Sequence, residues 1–164
     1  MIVVLMGVCG SGKTTVGQAL AERLHWRFFD ADDFHPQANV EKMARGMPLT
    51  DDDRWPWFDR IVGELKRQHA AGTHVVVACS ALKQVYRERL AQAGDVRFAY
   101  LKGSAATIAP RLAGRSGHFM PASLLTSQFA TLEEPSAAIV VDVAEPVEAQ
   151  VAAITRALQQ PLPA

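Results

Sequence analysis

Eight residues near the start of the chain, Gly7-Val8-Cys9-Gly10-Ser11-Gly12-Lys13-Thr14, have the composition and spacing of a phosphate-binding loop. Glycines so placed let successive backbone N–H groups curl around a triphosphate, while a lysine reaches the outer phosphates and a hydroxyl ligates magnesium. Lys13 and Thr14 fill those two places, with Thr15 directly behind them. Two carboxylates follow at Asp30 and Asp32. Beside a triphosphate, one acid can hold the metal through water and the other can accept the proton of an attacking hydroxyl. We assign Thr14 and Asp30 to magnesium and Asp32 to the hydroxyl, over the plainer alternative of an exposed acidic turn. Arg111 and Arg115 lie four apart, on one face if helical, and offer the positive charge that a loose phosphoryl-transfer transition state needs. One of them would stack on a nucleotide base while the other reaches the phosphates. Lys83 and Arg87 repeat that spacing.

These residues need a scaffold. The apolar run at residues 2–6 reads as a buried strand leading into the loop, and Val16, Leu20 and Leu24 recur at helical spacing after it. Strand, glycine loop and helix start follow in the order that an anion site at a helix N-terminus requires. Further short apolar segments at 27–29, 74–79, 96–101 and 138–143 alternate with helical stretches, which predicts an α/β fold with a parallel sheet covered on both faces. Ligands should gather at the carboxyl ends of its strands. Two stretches stand outside the repeat. Residues of about 31–60 are read as a substrate-binding region, its part from 31 to 56 punctuated by His35-Pro36, Gly46-Met47-Pro48 and Trp55-Pro56. Residues of about 110–135 are read as a lid, since long irregular segments in a compact domain usually serve function. The whole of 1–164 is read as one kinase-sized domain, with 159–164 frayed.

Composition removes several function classes. Lys plus Arg and Asp plus Glu each number 17, so general nucleic-acid binding has no electrostatic basis. No apolar run approaches the ~20 residues of a membrane span, and the start lacks the basic region of a signal peptide; a cytoplasmic location is expected. Two cysteines without a CxxC spacing argue against a disulfide framework or a zinc site. The only asparagine is Asn39, so the Asn-Lys-x-Asp guanine reader of a GTPase is missing and the expected nucleotide is ATP. The zero net charge hides an asymmetry. Residues 30–64 carry nine acids and four bases, whereas residues 80–115 carry two acids and seven bases. That division suits a carboxylate-rich region facing a phosphate-handling one.

Linked blocks carry a more specific signal. Gly7–Thr14, Asp30-Ala31-Asp32-Asp33-Phe34-His35-Pro36, Pro48-Leu49-Thr50-Asp51-Asp52-Asp53-Arg54-Trp55-Pro56-Trp57, Ala78-Cys79-Ser80-Ala81-Leu82-Lys83, Gly117-His118-Phe119-Met120-Pro121 and Ser127-Gln128-Phe129 together resemble the bacterial gluconokinases, over residues 1 to about 142. The resemblance implies a P-loop fold of the nucleoside monophosphate and shikimate kinase type, three-layered with sheet order 2-3-1-4-5 and a lid. It implies ATP- and magnesium-dependent phosphorylation of D-gluconate at the 6-hydroxyl, and a homodimer enters by resemblance alone. Lys13, Asp32 and Arg115 are then catalytic. Gly7, Val8, Cys9, Gly10, Ser11, Gly12, Lys13, Thr14, Thr15 and Arg111 bind the nucleotide. Substrate falls to Asp32, His35, Lys42, Arg54, Ser80, Lys83, Arg87, His118 and Gln128, with the Arg54 guanidinium suited to clasp a carboxylate. Asp51 and Asp52 are read as an acidic helix start behind a Thr50 cap, and Trp55 and Trp57 as packing. The chain departs from the family at Cys9, often serine, and at Ala31, often glycine. Ala31 would restrict the turn that carries the two aspartates, and Cys9 with Cys79 raises a redox hypothesis beside the plainer one of inert thiols. Alternatives are a shikimate- or nucleoside-monophosphate-type kinase of the same fold and a regulatory nucleotide-binding module without turnover.

Overall fold

Strand β1, Ile2–Met6, is buried along its whole length. A strand with no polar face fits only where both sides are covered, and β1 lies at the centre of a five-stranded sheet. The computed structural model describes residues 1–114 and 122–161. The other strands are β2, Arg27–Asp30, β3, Val75–Ala78, β4, Val96–Lys102, and β5, Ile139–Asp142. All pairings are parallel and the order is β2-β3-β1-β4-β5, the arrangement expected from the sequence. Register sets the site. Leu5 of β1 and Asp30 of β2 both pair with Ala78 of β3, so the chain leaves three adjacent strands at one edge.

Helices cover both faces, giving three layers. Helix α1, Lys13–Leu24, and helix α7, Val147–Leu158, pack together on one side. There Val3, Leu5, Val16, Leu20 and Ile154 form an apolar core with Ile108 and Leu112 of α5, Ala105–Ala113. On the other side α3, Asp51–Ala70, and α4, Gln84–Ala91, enclose a second core around Phe58, Ile61, Leu65, Tyr86 and Leu90.

The two stretches read as irregular hold more helix than their prolines suggest. The first contains a 3₁₀ turn, Ala31–Phe34, helix α2, Gln37–Ala44, and the start of α3, with Pro56 inside that helix. Proline removes one donor and crowds one carbonyl, but a capping box at Thr50 and Asp53 and the buried face that follows outweigh it. The second contains the end of α5, with Pro110 inside it, and helix α6, Ala122–Thr131. Within these stretches, residues 115–121, and with them the expected roles of Arg115 and His118, lie outside the described residues.

Candidate active site

The glycine loop turns between β1 and α1 with Gly7, Gly10 and Gly12 at positive φ. Gly10, at φ 81°, has no room for a side chain: a Cβ there would stand 2.7 Å from Leu112 Cγ. The loop is anchored from several directions. Gly7 N donates to Ser80 O at 3.2 Å, and Cys9 N donates to Gln128 Oε1 of α6 at 2.6 Å. Lys13 Nζ donates back to Gly7 O and Val8 O, both at 3.0 Å. Burial holds its ammonium below the usual lysine range, a shift opposed by nearby negative groups, Asp32 and Asp30 among them.

No side chain caps α1 and no acid stands in its first turn, so the positive end of the helix is left for an anion. Ser11 Oγ is buried in the loop without a hydrogen-bond partner. These features fit a nucleotide triphosphate, with Thr15 exposed just behind on α1. Thr14 Oγ1 donates to Asp30 Oδ2 at 3.3 Å, which puts both expected magnesium groups together. Among the described residues no group of three or more His, Cys, Asp or Glu could cage a metal. Two oxygens beside a phosphate loop suit magnesium, which keeps waters and phosphate oxygens as its other ligands.

Asp30 ends β2 and caps the 3₁₀ turn, its Oδ1 accepting from Asp32 N at 3.0 Å. The turn is pinned from below, where Trp57 Nε1 donates to the Ala31 carbonyl at 2.7 Å. Ala31 is absent from the residues at positive φ, which besides glycine are His25 and Ala81, so the alanine does not strain the turn. The Asp32 side chain remains open to the cleft, 84% exposed. Even so, surrounding protein atoms raise its carboxyl above the ordinary aspartate range, and the charge of Asp30 raises it further.

Beside Asp32 lies a cleft of about 800 Å³, whose walls include Asp32, His35, Arg54, Ser80, Tyr86 and Gln128. His35 stacks on Trp57 at 4.2 Å and receives Asn39 Nδ2 on Nδ1 at 3.2 Å. Its Nε2 then carries the proton, 4.0 Å from Asp32 Oδ1. Burial, then the nearby Arg54 charge, lowers the His35 pKa and keeps the ring neutral. In the same wall Arg54 Nη1 lies 3.2 Å from Asp51 Oδ1 and donates to Tyr86 Oη at 3.4 Å.

Placement departs from expectation at two residues. Arg87 does not open on the cleft. It is 4% exposed, and its guanidinium donates to the carbonyls of Ala81, Leu82 and Glu133 at 2.8–3.1 Å. It braces Ala81, a non-glycine residue held at φ 46°. Lys42 turns to Asp53 Oδ2 at 2.5 Å and ties α2 to α3. Lys83 binds Asp51 Oδ2 at 3.3 Å at the cleft's edge. Arg111 donates to Val143 O at 2.7 Å, beside the end of β5. Asp51, Tyr86, Asn39 and Trp57 enter the site although spacing gave them no role there. Asp51 read as a helix-start acid, and only its pairing with Lys83 and Tyr86, at the start of another helix, ties it to the cleft wall. The Cys79 thiol is buried and pushed up to about 12, the state of an inert cysteine.

A phosphate loop at the edge of a 2-3-1-4-5 sheet, an acid pair beside it and a cleft walled in part by Asp32, His35 and Arg54 define a P-loop kinase acting on a small hydroxyl compound. The family described as shikimate kinase matches residues 9–158. The chain is 53% identical over 135 residues to the gluconokinase of Gluconobacter oxydans, covering 80% of this chain and 75% of that protein. It is 42% identical over 164 residues to the thermoresistant gluconokinase of Escherichia coli, covering 97% and 94%. The crystal structure of a gluconokinase from Sinorhizobium meliloti superposes with a TM-score of 0.84 at 43% identity, covering 96% of this chain and 93% of that one. The chain belongs to the shikimate kinase family and, among its members, to the gluconokinases.

Proposed function

We propose that the protein transfers the terminal phosphoryl group of ATP to the 6-hydroxyl of D-gluconate, giving 6-phospho-D-gluconate. The observation that carries this reading is the make-up of the cleft: an aspartate beside the phosphate loop shares its walls with an arginine and a tyrosine. A linear sugar acid brings the matching groups, a primary hydroxyl for the aspartate and a carboxylate for the arginine. Arg54 clasps the carboxylate. Asp32 receives the 6-hydroxyl and takes its proton as the bond to phosphorus forms, with the neutral His35 standing beside it in the cleft wall. Lys13 neutralises charge on the moving phosphoryl, joined by Arg115, and Arg111 stacks on adenine. Magnesium, held by Thr14 and Asp30, would neutralise the phosphate oxygens. Ser80, Lys83, Gln128 and His118 complete the surroundings of the substrate. We place the enzyme in the cytoplasm; among the described residues no helix is long and apolar enough to cross a membrane. A coupled assay of ADP release tests the reading. Release should follow D-gluconate and stay at background with shikimate or nucleoside monophosphates; the reverse pattern would replace gluconate as the substrate.

A further inference from the structure

Asp51 stands in the first turn of α3, where an acid ordinarily serves the helix N-terminus, yet its carboxylate is turned to Arg54 and Tyr86, two residues of the cleft wall. Oδ1 accepts from the Tyr86 hydroxyl and from Arg54 Nη1 at 3.2 Å, and Oδ2 accepts from Lys83 Nζ at 3.3 Å. Both cations also approach the Tyr86 ring, Arg54 at 5.9 Å and Lys83 at 5.5 Å from its centroid. Arg54 of the cleft wall therefore already has a carboxylate of the protein's own beside it. Two positive charges against one negative leave a net charge of one, the complement of a substrate with a single carboxylate. An entering carboxylate can share Arg54 with Asp51 or replace it there, exchanging one charge-assisted bond for another. A neutral hydroxyl would have to break such a bond and return a weaker one.

We propose that Asp51 is a specificity-determining residue that holds Arg54 and Lys83 in position and competes with the substrate's carboxylate for them. The proposal rests on the reading of the substrate as a sugar acid. It makes affinity for gluconate lower than two unopposed cations would give. It excludes neutral polyols, which lose the exchange, and it lets Asp51 reclaim Arg54 as the product departs with the same carboxylate.

Sign separates this role from simple support of Arg54. D-gluconate is titrated calorimetrically, without nucleotide, into the wild-type protein and into the variants Asp51→Asn and Asp51→Ser. Each variant removes the charge while keeping a residue that tolerates a helix start. The competing role predicts tighter binding, on the order of three- to tenfold, since a like charge near the bound carboxylate is gone. The gain should shrink as salt is raised. The neutral polyol D-glucitol should stay unbound by the wild type and gain measurable binding in both variants, where no Asp51 bond to Arg54 has to be broken; glucitol still excluded by the variants would remove Asp51 as the specificity determinant. Variants that melt cooperatively but bind gluconate no better than wild type, or more weakly, overturn the proposal and leave Asp51 as a support for Arg54. A wild-type protein that fails to bind gluconate at all overturns the gluconate reading itself.

Discussion

Asp32 is two residues from Asp30, and that spacing shapes its chemistry. Asp30 is committed on both oxygens, one to the Asp32 amide and one to Thr14, so its charge stays next to the base. Protein atoms and that charge together lift the Asp32 carboxyl above the ordinary aspartate range, which makes the carboxylate a better proton acceptor. Replacing Asp32 by Asn should cut kcat by about 10²–10⁴, the usual size of a general-base effect, while ATP still binds; near-full turnover in that variant would remove Asp32 from the role. The pH profile carries a second outcome. A base must be deprotonated, so kcat/KM falls as pH drops through the raised Asp32 pKa. Asp30→Asn removes the like charge, lowers that pKa, and should move the acid limb toward lower pH even as magnesium binding weakens. A limb that stays in place would assign it to another group.

Two helix junctions place these side chains. The start of α3 is organised by the capping box, with Thr50 N donating to Asp53 Oδ2 at 2.8 Å and Asp53 N to Thr50 Oγ1 at 3.2 Å. Lys42 reaches the same Asp53 oxygen at 2.5 Å, and the buried Asn39 reaches the Asp53 carbonyl at 3.0 Å. Thr50→Ala should cost about 1 kcal/mol, a fall of roughly 2–4 °C in Tm for a chain of this size. Asp53 is held down to about 2, first by Lys42 and then by Thr50. Its stabilisation is therefore complete above the unfolded pKa, ~3.9, and is lost as pH falls from there through about 2. The wild-type Tm should drop faster than that of Asp53→Asn across this window. The second junction is the turn between β3 and α4, braced by Arg87 of α4. Arg87→Ala strands buried carbonyls and releases Ala81 from its left-handed conformation, a loss of about 2–4 kcal/mol read as a lower Tm. If stability is unchanged while affinity for gluconate falls, Arg87 is a substrate ligand after all. The Thr50 cap was legible in local spacing, but the ties of Lys42 and Asn39 to Asp53 and the Arg87 brace were not. Strand, glycine loop and the acid pair are sequence neighbours, so their chemistry shows in order and periodicity. The Arg87 guanidinium meets Glu133 and the Asp51 carboxylate meets Tyr86 only after the chain has folded back on itself. Proline misled for a related reason, because Pro56 signals a missing donor but not the cap and buried face that keep α3 intact.

Across the whole molecule, parallel order brings the ends of β1, β2 and β3 to one edge, and the phosphate loop is held by what emerges beside it. Ser80, after β3, accepts from Gly7 N, and Gln128, from α6, accepts from Cys9 N. Leu112 of α5 closes the space over Gly10. Elements distant in sequence thus preform the loop, and a nucleotide that binds it should stabilise the entire fold by linkage. At a concentration of 100 times its Kd, ATP with magnesium should add about 2.7 kcal/mol, or roughly 5–10 °C in Tm at this size. The loop's fit to α5 decides whether that coupling survives. A Cβ at residue 10 meets Leu112 at 2.7 Å and sits at φ 81°, so Gly10→Ala must move the loop away from α5 or distort it. That variant should melt cooperatively at a lower temperature and lose most of the ATP shift, yet keep a shift with D-gluconate, whose cleft does not include Gly10. Equal loss of both shifts would mean that loop and cleft move as one unit. Full retention of the ATP shift would mean that the loop binds nucleotide without its support from α5.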